Sequence, residues 1–137
     1  MSRKKVRPFY EFIDTGIFPA FICIANGYTI EKLAEGLKEY RYDLWHDALV
    51  SHESDDSDSD AIVIERTYKG KRYYFMILKH SFDFSDYHYT VLAHEVLHLC
   101  QFILRRLLNR DDEIETEAYL HTYIMSKYLE NCRDRLT

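Results

Sequence analysis

The strongest constraint on the fold is an HExxH motif inside a long helical pattern, His94-Glu95-Val96-Leu97-His98. The surrounding apolar residues recur at three- and four-residue steps and lie on more than one side of the predicted helix. This helix is expected to run from a cap at Ser85 or Asp86 to about Leu108. A helix that is apolar on several sides is usually buried, so the motif is predicted to lie in the interior of a domain.

The motif has the residue types and the spacing of a catalytic zinc site. Helical geometry places His94 and His98 on one face, about 6 Å apart along the axis, so both imidazoles can reach one metal ion. Glu95 lies beside that face, where its carboxylate can take a proton from a zinc-bound water whose pKa is lowered to about 7. The alternative is that these side chains are core residues hydrogen-bonded to their neighbours.

A third protein ligand is expected from the last helix, because catalytic zinc sites combine three protein ligands with one open position. One stripe of that helix contains Ile114, Glu117, His121, Ile124 and Tyr128. Glu117 is the first candidate. His121 is the alternative ligand, or it orients a ligand through a hydrogen bond. An ordinary solvated carboxylate is the remaining interpretation of Glu117.

The motif together with Glu117-Ala118, nineteen residues after His98, resembles the gluzincin metallopeptidases, which include the minigluzincins and the peptidases that cleave phage repressors. The resemblance extends from Tyr89 to Tyr128. It implies that His94, His98 and Glu117 bind zinc and that Glu95 is the general base. It also implies that the hairpin over Ala61–Lys79 belongs to a sheet whose edge strand holds the substrate.

Two features differ from this resemblance. Thermolysin-like enzymes have an aspartate four residues after the glutamate ligand, where this chain has His121. The group that stabilises the oxyanion is not identified by the pattern. The candidates are Tyr87, His88, Tyr89, Tyr119 and Tyr123.

The rest of the chain predicts one α+β domain over residues 1–137. Its expected order is strand, helix, β-hairpin, HExxH helix and an antiparallel C-terminal helix. The predicted elements are a strand over Ile17–Ala25, a helix capped by Thr29 to about Tyr40, an acidic mobile loop over Ser51–Asp60, hairpin strands over Ala61–Tyr68 and Arg72–Lys79, and a last helix from Asp111 or Asp112 to about Cys132.

Composition excludes several classes of protein. The net charge of -5 argues against nucleic-acid binding, and the basic residues between Arg3 and Arg7 are interpreted as a solvated N-terminus. Cys23, Cys100 and Cys132 form no CxxC pair, which argues against a disulfide framework and a thiolate zinc site. The apolar run Ile17–Ala25 is too short to span a membrane. A cytoplasmic location is expected.

These observations predict a zinc metallopeptidase that acts on a peptide or protein segment. One alternative is a non-catalytic zinc domain, encoded by a phage or mobile element, in which His94, His98, Glu117 and His121 all bind the metal. Four protein ligands would leave no place for the attacking water. A further alternative is a metal-free interaction domain that uses its tyrosines and its acidic loop.

Overall fold

The computed structural model describes residues 5–15, 20–51, 59–105 and 113–136. These residues form a mixed β-sheet with helices on both faces. The elements are β1 (Phe9–Ile13), β2 (Phe21–Asn26), α1 (Ile30–Glu39), α2 (Asp43–Val50), β3 (Ala61–Tyr68), β4 (Lys71–Leu78), α3 (Asp86–Leu104) and α4 (Glu113–Asp134).

The strand order is β1-β2-β4-β3, with β2 and β4 parallel and the other neighbours antiparallel. The β3–β4 hairpin turns at Lys69 and Gly70, whose φ angles of 51° and 76° suit a two-residue turn. The hairpin is confirmed, and it leaves β3 as one edge of the sheet.

Side chains alternate between the two faces of the sheet, and each face has its own core. Ala61 and Val63 of β3 face α3 and α4. Ile62 and Ile64 face α1 and α2. The HExxH helix therefore packs on one face only, and a separate set of contacts covers the other.

Local capping interactions position the helices as predicted. The Ser85 hydroxyl accepts a hydrogen bond from the His88 N–H at 3.1 Å, and the Thr29 hydroxyl accepts one from the Lys32 N–H at 3.2 Å. The residues proposed to cap α4, Asp111 and Asp112, lie outside the described residues, as do residues 17–19 of the first predicted strand.

The expected element order omitted two elements, β1 and α2. In the described part of the N-terminus the basic residues Lys5 and Arg7 are exposed, as expected for a solvated segment, but the backbone is held in place. Val6 is buried and pairs with Leu136, and the Arg7 N–H donates to the Arg135 carbonyl at 3.0 Å. This segment is held because it packs against the end of α4.

The acidic loop expected over Ser51–Asp60 is described only at its ends, since residues 52–58 lie outside the described part. Ser51 caps the end of α2. Asp60 contacts both Tyr87 and His80 through its carboxylate, so this end of the loop is attached to its surroundings. No helix within the described ranges is long and apolar enough to cross a membrane.

A buried asparagine links the sheet to both C-terminal helices. Asn26, at the end of β2, is fully buried, and its Oδ1 accepts hydrogen bonds from the Phe82 N–H and the Tyr128 hydroxyl, both at 2.9 Å. Phe82 precedes α3, and Tyr128 belongs to α4. This one side chain therefore helps to fix the start of the HExxH helix and the position of α4.

We expect Tyr128→Phe to lower the free energy of unfolding by about 1 kcal/mol or more, because a buried acceptor loses one of its donors. Urea denaturation measures the change. Tyr123→Phe is the matched control, since the Tyr123 hydroxyl donates to the Asp14 carbonyl in an exposed hydrogen bond. Equal effects of the two substitutions would contradict the linking role of Asn26.

Candidate metal centre

The packing of α3 determines where the HExxH side chains point. Leu92, Val96, Leu99 and Ile103 are buried on one side of the helix. His94, on the other side, is exposed, and Leu97 is 38% exposed. The expectation that the motif is interior is therefore wrong, because the described residues cover α3 where it meets the sheet and α4 and leave His94 exposed.

The two histidines converge. His94 Nε2 and His98 Nε2 lie 2.9 Å apart, and the ring centroids are 4.4 Å apart with the rings nearly perpendicular, at 83°. Zinc–nitrogen bonds of about 2.0–2.1 Å at a tetrahedral angle place two nitrogens about 3.3 Å apart. The separation observed is within a few tenths of an ångström of that value. The same separation also fits a direct hydrogen bond between the two rings.

Glu95 adjoins this pair. Its side chain is half-buried, and this burial raises the pKa of its carboxyl above the usual value, while His94 and His98 act in the opposite direction. A carboxylate with a raised pKa is a better proton acceptor than a solvated one. Glu95 thus combines a raised pKa with a position next to the histidine pair.

Helix α4 runs antiparallel to α3, as predicted. His121 Nε2 lies 3.2 Å from the Ala93 carbonyl oxygen. Glu117 lies further toward the C-terminal end of α3, where it adds to the effect of burial in raising the pKa of the Cys100 thiol to about 12. His121 is therefore level with Ala93 rather than with His98, which lies about one helical turn further along α3.

The structure brings His94, Glu95 and His98 together but does not bring Glu117 or His121 into the same cluster. Within the described ranges, no group of three or more His, Cys, Asp or Glu side chains is arranged to hold a metal ion. Glu117 and His121 lie on the side of α3 that carries Ala93 and Cys100. Neither candidate for a third ligand, Glu117 or His121, is therefore in a coordinating position.

The exposed side of α3 runs alongside the edge strand β3. Tyr87, Val91, His94 and His98 recur at helical spacing, and we call them the histidine stripe. The Tyr87 hydroxyl donates to Asp60 at 3.0 Å, just before β3. Beyond the other end of the stripe, Arg105 Nη2 donates to Glu65 of β3 at 2.9 Å.

The structure places the five candidates for oxyanion stabilisation in different surroundings. Tyr87 belongs to the histidine stripe and lies two turns before His94. Its hydroxyl donates a hydrogen bond to the Asp60 carboxylate. His88 Nδ1 contacts Asp83 at 3.0 Å, and Tyr89 packs against Phe82. Tyr119 is exposed on α4, and Tyr123 donates to Asp14. Of the five, only Tyr87 lies on the histidine stripe.

Comparison of the chain with protein-family models gives no match, and comparison with curated proteins and with solved structures gives none either.

All three cysteines are free, buried thiols. Burial raises the pKa of Cys100 and Cys132 to about 12 and that of Cys23 still further above its usual value. Because the thiolate is the reactive form, we expect the native protein at pH 7 to react very slowly with a chromogenic disulfide reagent. All three thiols should react after denaturation. Rapid reaction of one thiol in the native protein would contradict this packing of the core.

Proposed function

We propose that the chain is a zinc-dependent peptidase in which His94, His98 and Glu117 bind the metal and Glu95 is the general base. The observation that carries this proposal is the approach of His94 Nε2 to His98 Nε2, 2.9 Å apart on an accessible side of α3. Two histidines and a glutamate are an established ligand set of catalytic zinc sites. Exposure of His94 also weakens the alternative that the pair is an internal structural element.

Glu117 is the ligand that must move. It lies on the helix that packs beside the motif, and no hydrogen bond or ion pair to another described residue holds its carboxylate. A rotation of this side chain from the Cys100 side toward the histidines would complete the set. When bound, zinc would supply Lewis acidity toward the scissile carbonyl and would acidify the attacking water.

Glu95 performs the proton transfers in this proposal. Its raised pKa favours acceptance of a proton from the attacking water. The same carboxyl group then donates that proton to the leaving amine. Hydrolysis of the amide bond is balanced in this way, since water supplies the hydroxyl group of the new acid and the proton of the new amine.

The edge of β3 supports an extended peptide as the substrate. The Lys79 N–H donates to the Asp60 carbonyl at 2.8 Å. With the register of the hairpin, this bond determines which residues of β3 direct their backbone N–H and C=O groups toward β4 and which direct them outward. It follows that the backbone groups of Ala61, Val63 and Glu65 face outward from the sheet. Tyr87 and Arg105 connect α3 to this part of β3, so an added strand would lie beside the histidine stripe.

The closed, non-catalytic zinc domain receives less support. It requires His121 as a fourth ligand, but His121 Nε2 is next to the Ala93 carbonyl oxygen. That contact fits a residue that joins α4 to α3. The number of protein ligands distinguishes the two proposals, since only an open site leaves room for water.

Metal content of protein purified without added metal tests the zinc site. We expect about one zinc per chain in the parent protein and in Glu95→Gln, because Glu95 is not a ligand. We expect little or none in His94→Ala and weaker retention in Glu117→Ala. His121→Ala is the matched control on α4 and should retain the metal.

The same proteins separate catalysis from metal binding. Glu95→Gln should lower the cleavage of a mixture of unstructured peptides, followed by mass spectrometry, by at least about 100-fold. No zinc in the parent protein after supplementation would refute the proposal. Loss of zinc in His121→Ala, together with an inactive parent, would favour the closed site.

A proline on the sheet edge tests the substrate position. Proline is tolerated on an edge strand where the N–H faces outward, so Val63→Pro should fold while removing one donor to the peptide. We expect kcat/KM to fall about fivefold to tenfold with unchanged zinc content. Thr67→Pro is the control. The Thr67 N–H also faces outward, but it lies beyond Glu65, where Arg105 makes the last connection between α3 and β3 that is described above. Unchanged kcat/KM in Val63→Pro would contradict binding at this edge.

A further inference from the structure

An aromatic cleft lies on the face of the sheet opposite α3. It has a volume of about 400 Å³, and its aromatic walls are Phe21, Tyr42, Trp45 and Tyr73. Phe21 and Tyr73 stack with centroids 5.1 Å apart, and Trp45 packs edge-on against Tyr73 at 5.2 Å. Phe21 and Tyr42 are 40% and 41% exposed, so these rings present accessible apolar surface.

Two cations line the cleft together with one carboxylate. Arg41 and Lys71 carry the positive charges and Asp43 the negative one. The Lys71 ammonium lies 5.4 Å from the Phe21 ring centroid. Within the described ranges, no carboxylate forms an ion pair with Arg41 or Lys71. The charge lining the cleft is therefore positive, although the whole chain is acidic.

The backbone at Arg41 gives a second and independent observation. Arg41 has a φ of 63°, and it follows Tyr40, the C-cap residue of α1, in a Schellman motif. In this motif the Tyr42 N–H donates to the Leu37 carbonyl at 2.8 Å, and the Arg41 N–H donates to the Lys38 carbonyl at 3.2 Å. Glycine is the favoured residue at this position. The chain places a cation here despite the conformational cost, and that cation lines the cleft.

We propose that this cleft binds a small anion that carries a planar ring, a nucleoside monophosphate. Exposed aromatic rings stack on a base, and two cations without a carboxylate partner suit a phosphate. Asp43 can accept a hydrogen bond from a ribose hydroxyl or from a base amino group. The volume is in the range of small-molecule sites, and the net negative charge of the chain disfavours a longer nucleic acid.

Tryptophan fluorescence measures occupancy of the cleft directly, because Trp45 is the one tryptophan of the chain. Adenosine 5′-monophosphate should change the emission in a saturable manner when excitation is at the red edge of the tryptophan band, where adenine does not absorb. Adenosine should bind at least about tenfold more weakly, because it lacks the phosphate that the cations contact. Inorganic phosphate should compete with the nucleotide only weakly.

Three variants separate binding from folding. Arg41→Gly should weaken nucleotide binding about tenfold or more, while the thermal midpoint stays at or above that of the parent, since glycine suits the left-handed backbone. Lys71→Met should also weaken binding but keep an aliphatic chain over Phe21. Lys69→Asn is the matched control, since it removes a cation from the same hairpin outside the cleft and leaves binding unchanged.

The outcomes are distinct. Binding that depends on the phosphate, on Arg41 and on Lys71 supports the site. The proposal is overturned if the nucleotide causes no change in emission, or if adenosine binds as tightly as the nucleotide. It is also overturned if only an acidic peptide with an aromatic residue binds. None of these results bears on the zinc site, which lies on the other face of the sheet.

Discussion

The packing of one side of α3 against the sheet determines the candidate metal centre. Leu92, Val96, Leu99 and Ile103 occupy the interface, and with 3.6 residues per turn the two histidines must then face away from it. Asn26 holds the segment before α3 and the middle of α4 through two hydrogen bonds. The apolar face of α3 thus determines the direction in which the histidines point. The buried asparagine helps to fix the positions of α3 and α4 relative to the sheet.

Features that depend on short-range interactions could be predicted from the sequence. The caps at Thr29 and Ser85 and the turn at Lys69-Gly70 involve residues only a few positions apart. β1 could not be predicted in this way, because it exists through pairing with β2. α2 begins without a side-chain cap, and its Trp45 ring stacks on Phe12 of β1 at a centroid distance of 4.4 Å. Both elements depend on contacts between distant parts of the chain.

The candidate site shows the same division. The approach of His94 and His98 follows from their spacing on one helix. The exposure of His94 and the positions of Glu117 and His121 depend on how α4 packs against α3, which periodicity does not specify. Periodicity identified the stripe of α4 that faces the core, where Ile124 and Tyr128 are fully buried. It did not specify the register of α4 along α3. That register places His121 beside Ala93.

The two proposed sites use opposite faces of the sheet and different chemistry, so each is tested independently. The central claim is that His94 and His98 hold zinc with one carboxylate. X-ray absorption at the zinc edge tests it most directly on the purified parent protein. The account predicts two imidazole ligands at about 2.0–2.1 Å, with oxygen atoms completing the shell. A shell with three imidazoles, sulfur ligands, or no defined protein ligand would contradict it.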